Sequence, residues 1–105
     1  MLLTDYFYPD RDAVWDFALA SGVRHGVIRL PETAGFDPAS LSQMRAVYDR
    51  FRAAGITPVV VEPMPNALHD EIKAGTAKRD EAIEKVIGMM AAMDKLDLRM
   101  ICFNF

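Results

Sequence analysis

Apolar and polar positions along this chain alternate between two periods. Leu2 to Tyr8 is rich in aliphatic and aromatic residues and stops at Pro9-Asp10, the signature of a strand followed by a turn. Asp10 or Asp12 then caps a short helix with Val14, Phe17 and Ala18 on one face, closed by Gly22. Gly26-Val27-Ile28-Arg29-Leu30 reads as a second strand, and Pro31 to Phe36 as a loop bending at Gly35. Asp37-Pro38 supplies a carboxylate cap and a first-turn proline. Leu41, Met44, Val47, Tyr48 and Phe51 follow at helical spacing, and Gly55 ends that helix.

Ile56 to Val61 predicts a third strand, with Pro58 near its start where a missing N–H is tolerated. Glu62 to Ala77 reads as the longest irregular stretch; loops of that length inside an α/β repeat tend to be functional. A third helix starts near Lys78 to Asp80, with Thr76 and Asp80 competing as caps, and carries Ile83, Val86, Ile87, Met90 and Met93 inward. Leu98 to Phe105 predicts a fourth strand. The order β-α-β-α-β-α-β argues for a parallel sheet with right-handed crossovers. Val59-Val60-Val61 and Met100 to Phe103 read as strands covered on both faces. Two architectures fit: an arc of a (β/α)8 barrel, or a small open doubly wound sheet. The more economical is the arc, because the final strand has nothing after it to cover its edge. Residues 1–105 are then the amino-terminal part of a single TIM-barrel domain, whose full length is roughly 250 residues.

Composition narrows the function. With 51% hydrophobic and 26% charged residues the chain has a globular, not a disordered, makeup. A net charge of −3 with no basic stripe argues against nucleic acid as a partner. Neither a signal peptide nor a run of about 20 apolar residues is present, so a cytoplasmic protein without membrane contact is expected. The single cysteine, Cys102, sits in an apolar run and reads as a small buried hydrophobe.

No self-contained catalytic motif occurs: no dinucleotide loop, P-loop, nucleophile elbow or zinc helix. Position is then the guide, because parallel α/β proteins bind ligands beyond the carboxyl ends of their strands. Glu62 follows the third strand directly and suits a metal, a sugar hydroxyl or a catalytic base partner; the plainer reading is a loop carboxylate paired with a lysine or arginine. His69 lies in the long stretch after it, where an imidazole can serve as acid, base or metal ligand near neutral pH. Lys73 can hold an acid group, or be simply solvated. Asn104, inside an apolar strand, either faces the crevice or braces a loop. Tyr6 and Tyr8 end the first strand as a sugar wall or as rim packing, and Met89, Met90 and Met93 read as helix core.

Taken together, Val61-Glu62-Pro63-Met64-Pro65, His69 to Gly75, Arg79-Asp80, Ile83-Glu84 and Ile101 to Phe105 resemble the amino-terminal third of the mannonate dehydratases. That family shows V-x-E-S-x-P, H-E-x-I-K-x-G, R-D entering a helix and V-C-Y-N-F in the same order. The match is best from Gly55 to Phe105; earlier residues share only the β-α-β layout. The resemblance implies a xylose-isomerase-like barrel that removes water from D-mannonate to give 2-dehydro-3-deoxy-D-gluconate in hexuronate breakdown, using Mn2+ or Fe2+. It places the metal ligands in later strands, so this segment alone is expected to be inactive, and Cys102 matches the strand cysteine, not a ligand. It makes Glu62, His69, Lys73 and Asn104 the substrate-binding candidates. Pro63 in place of serine, and the added Asn66-Ala67-Leu68, imply a divergent branch with a different sugar acid. A sugar or sugar-phosphate isomerase or epimerase of the same superfamily is the alternative enzyme. A non-catalytic α/β domain that pairs through open sheet edges is the alternative class, and homo-oligomers or edge association are expected of either.

Overall fold

The structure is a computed structural model that describes residues 1–103. The elements run β1 (Thr4–Phe7), α1 (Ala13–Ala20), β2 (His25–Ile28), α2 (Leu41–Ala53), β3 (Thr57–Val61), α3 (Asn66–Ala74), α4 (Arg79–Lys95) and β4 (Met100–Ile101). All neighbouring strands are parallel, and their order in the sheet is β1-β2-β3-β4. With strands laid down in chain order, right-handed crossovers place every helix on the same side. A doubly wound sheet needs a reversal of strand order to put helices on both faces. The arc of a barrel is therefore the architecture present.

Burial agrees. Phe7, Ile28 and Val61 are buried and join one cluster with Trp15 of α1, with Met44, Val47 and Phe51 of α2, and with Met89 and Met93 of α4. Trp15 stacks on Phe51 at 4.4 Å, and both rings pack against Phe7. One position away, Tyr6, Val27 and Val60 are only half-buried and Met100 is exposed, although β1, β2, β3 and β4 align them in register. The expectation that the third and fourth strands are covered on both faces is corrected: helices cover one face. Val59 is the extra residue of a bulge opposite Gly26–Val27.

Several local expectations shift. Asp12 caps α1 by accepting from Val14 and Trp15, but Trp15 and Ala18 face inward while Phe17 is exposed. Ser40, not Asp37, caps α2 through the Gln43 N–H. Asp37 and Pro38 form the turn before it, in which the Asp37 carboxylate accepts from the Ala39 N–H. The stretch from Glu62 to Ala77 is not irregular throughout: Pro65 precedes α3, and Gly75 closes it with φ of 63°. Neither Thr76 nor Asp80 stands at the N-cap of α4, which Lys78 occupies; the Thr76 hydroxyl instead accepts the Lys78 N–H. α4 buries Ala82, Met89, Ala92 and Met93, leaving Ile83, Ile87 and Met90 as a second, exposed apolar stripe. β4 is shorter than expected, and the Phe105 end of that prediction lies outside the described residues.

The loop from β2 to α2 is fixed in two ways. Asp37 pairs with Lys85 of α4 at 3.1 Å. Gly88 of α4 lets Ala39 sit against the helix, since a Cβ at Gly88 would stand 2.8 Å from the Ala39 Cβ. Gly88→Ala alone should therefore destabilise the protein by about 1–2 kcal/mol despite the better helix former, because a well-packed contact is overfilled. Adding Ala39→Gly should recover most of that loss, measured by urea denaturation of both variants.

Candidate functional site at the strand ends

The ladder continues one residue past the strands. The Arg29 N–H donates to the Phe7 carbonyl, Glu62 to Ile28 and Cys102 to Val61, each at 2.9 Å. Tyr8, Arg29, Glu62 and Cys102 thus form a row across the carboxyl ends of all four strands. Side chains alternate along a strand, so a row one step beyond buried Phe7, Ile28 and Val61 points away from the helices. Contacts bear this out on the β1–β2 side. The Arg29 guanidinium carbon lies 5.6 Å from the Tyr8 ring centre, and Tyr8 meets Tyr6 edge-on at 5.7 Å.

Arg29 is the best-anchored member. Its Nη2 donates to Glu32 at 3.0 Å. The Glu32 hydrogen bond, with help from Tyr6 and against a burial penalty, raises its pKa above the ordinary arginine value, so the group is a permanent cation. Glu62 is exposed and makes no ion pair among the described residues. The peptide between Glu62 and Pro63 is cis. Beside it, the Met64 N–H donates to the Cys102 carbonyl, tying the start of the β3–α3 connection to the end of β4. Cys102 is half-buried and carries a free thiol.

The four residues singled out from the sequence do not all lie in this row. Glu62 does. His69 is half-buried on α3, with Nδ1 3.6 Å from an Asp70 carboxylate oxygen, and Lys73 is exposed one turn further along the same face of α3. Asn104 lies outside the described residues. Sequence reading passed over Arg29. The signal was present: a charged residue between buried Ile28 and Leu30 at the end of a strand faces opposite to both.

Two hollows open on the rim, of about 420 and 480 Å3, bounded by the Pro31–Phe36 loop. Neither is lined by Tyr8, Arg29, Glu62 or Cys102. They lie between the loop and the helices, whereas barrels of this kind bind their ligands at the carboxyl ends of the strands, so the strand-end row is the better candidate. Among the described residues, no three His, Cys, Asp or Glu side chains gather as a metal ion would require. The donors present do not fit the divalent metal that the resemblance implies.

Comparison with known proteins places the chain. The family model described as D-mannonate dehydratase (UxuA) matches residues 7–105. The chain belongs to this family. Its fold is the TIM barrel, and four parallel strands in chain order are an arc of it. Over 96 residues the chain is 26% identical to the mannonate dehydratase of Lactococcus lactis subsp. lactis (strain IL1403), covering 91% of this chain and 26% of that protein. The chain thus spans about a quarter of the length of that relative. No solved structure matches it. Among the described residues, no helix is long and apolar enough to cross a membrane.

The pinned loop gives a pH-dependent prediction. The Ala39 N–H, and next the Lys85 ammonium, hold the Asp37 carboxyl below its ordinary value of 3.8. A depressed carboxyl stabilises the fold fully above its unfolded pKa and loses that contribution as pH falls through the lower folded one. The side chains of Lys85 and Asp37 are 41 and 40% exposed, so solvent screens the pair. Asp37→Ala should cost about 1 kcal/mol near pH 7. The penalty should shrink by about pH 3, read from urea midpoints at both pH values.

Proposed function

We propose that this chain is the first arc of a (β/α)8 sugar-acid lyase that removes water from D-mannonate to give 2-dehydro-3-deoxy-D-gluconate, a step of hexuronate breakdown in the cytoplasm. Family membership supports the chemistry, and the observation that carries its placement is the row of strand-end side chains on the face free of helices. Further β-α units of the ring are proposed to close that face over the row and to bring the metal ligands that these residues lack. Exposed apolar residues at both edge strands suit such neighbours: Leu3 just before β1, Met100 on β4 and Met90 of α4 near Ile101. A hollow of about 300 Å3, lined by Met90, Met93, Leu98 and Ile101 with Asp94 and Arg99 at its edge, lies on the β4 side.

Dehydration breaks the C–H bond beside the carboxylate and the neighbouring C–O bond. A base accepts the proton, an acid gives one to the leaving hydroxyl, and the enol that remains becomes the 2-keto acid. Mn2+ or Fe2+ would supply charge stabilisation when bound. This chain's share of the work is substrate binding. Glu62 accepts from a substrate hydroxyl; His69 and Lys73 of α3, and Asn104, are proposed as further substrate contacts. The Pro63 and Asn66-Ala67-Leu68 differences favour a different sugar acid as the substrate of a divergent branch, which is why the test below includes the epimers.

The test is turnover by the complete protein with Mn2+ or Fe2+, scoring formation of a 2-keto-3-deoxy acid from D-mannonate and its epimers. Glu62→Gln should lower kcat/KM by about tenfold or more. The 105-residue chain alone should be inactive. Absence of turnover with every hexonate and either metal would remove the dehydratase reading.

A further inference from the structure

We infer that Arg29 is the carboxylate-binding residue of the strand-end site, so that the protein selects small polyhydroxy acids over the matching neutral sugar alcohols. The inference rests on the barrel reading above for the placement of the site and for the class of ligand. The identity of the residue comes from its own geometry.

Three features set Arg29 apart from the other cations of the chain. It lies in the row of Tyr8, Glu62 and Cys102 at the carboxyl ends of the strands, with the ladder continuing through its own N–H. Its side chain is 27% exposed, less than the other arginines that form salt bridges, which are 50% exposed or more. Its head is also fixed, by the Tyr8 ring beneath it and by Glu32 at 3.0 Å. A cation already fixed in place loses little freedom when an anion arrives.

The contacts also leave it capacity. A guanidinium carries five N–H donors in a planar fork. The Glu32 pair engages Nη2 alone and is not the two-pronged arrangement. N–H groups therefore remain for a carboxylate, which arginine holds better than lysine because the two planar groups match. Glu62 on the next strand makes no ion pair with Arg29. The row thus offers separate recognition elements: a cation for the acid end, a carboxylate to accept from hydroxyls, and tyrosines whose faces suit C–H groups. A neutral alditol of the same length would satisfy only the last two.

The competing role for Arg29 is a clamp that merely ties β2 to its following loop through Glu32. Variants of the complete protein separate the two roles. Binding of D-mannonate, D-gluconate, D-glycerate and D-mannitol would be measured by calorimetry for the wild type, Arg29→Gln, Arg29→Lys and Glu32→Gln, with thermal melting recorded for each. The wild type should prefer the hexonates to D-mannitol by about tenfold or more. Arg29→Gln should lose most of that preference, and Arg29→Lys should keep part of it. Glu32→Gln breaks the clamp but leaves the cation, so the preference should survive. An Arg29→Gln protein that still prefers acids, or equal losses in Arg29→Gln and Glu32→Gln, would overturn the inference while leaving the dehydratase reading in place. Arg29-dependent binding of D-glycerate without binding of either hexonate would uphold the role of Arg29 and remove the hexonate reading. A wild type that binds none of the acids would overturn both.

Discussion

A parallel strand cannot return the chain to its neighbour without a crossover, and crossovers keep one hand. Four strands laid side by side in chain order therefore send every helix to the same face. Most of what this molecule can do follows from that constraint. The helix side becomes the core, where Trp15, Phe51 and Phe7 interlock and Met89 and Met93 fill the flank. The opposite face keeps half-buried Tyr6, Val27 and Val60, and at its upper edge the row of Tyr8, Arg29, Glu62 and Cys102. Chemistry and stability are thus divided between the two faces of one sheet, because alternate residues of each strand belong to different environments.

The same division explains which parts of the fold were legible in the sequence. β3 and α2 were plain, since Thr57-Pro58-Val59-Val60-Val61 and the Met44, Val47, Phe51 spacing each admit one period. α1 was legible as a helix but not in its facing: apolar residues surround nearly all of its eight positions, and only the stacking of Trp15 on Phe51 and its indole bond to the Tyr8 carbonyl decide the matter. α3 was hidden by its own boundaries. Pro65 and Gly75 read as loop markers, yet they stand just before and just after a nine-residue helix. α4 carries two apolar stripes, and periodicity cannot say which one meets the sheet when its small residues, Ala82 and Ala92, take the inner side.

The candidate site was legible in part for a related reason. Glu62 was found because it directly follows an unmistakable strand. Arg29 was missed because it sits within what reads as a strand, and only the buried neighbours Ile28 and Leu30 reveal that it faces the other way. His69 and Lys73 share a face of α3, which packs on α4, and so they stand apart from the row. Family membership accounts for the shared motifs from Glu62 onward. The guanidinium clamped over Tyr8 lies outside those motifs.

The account turns on four strands being an arc of a closed ring whose open face bears the site. Hydrogen exchange at the backbone amides of the outer strands in the complete protein tests this most directly. An arc closed by further units gives β1 and β4 a neighbour on each side, so amides within Thr4–Phe7 and at Met100 and Ile101 should be protected to the same degree as those of β2 and β3. Rapid exchange along either outer strand, with β2 and β3 protected, would show an open sheet and contradict the account.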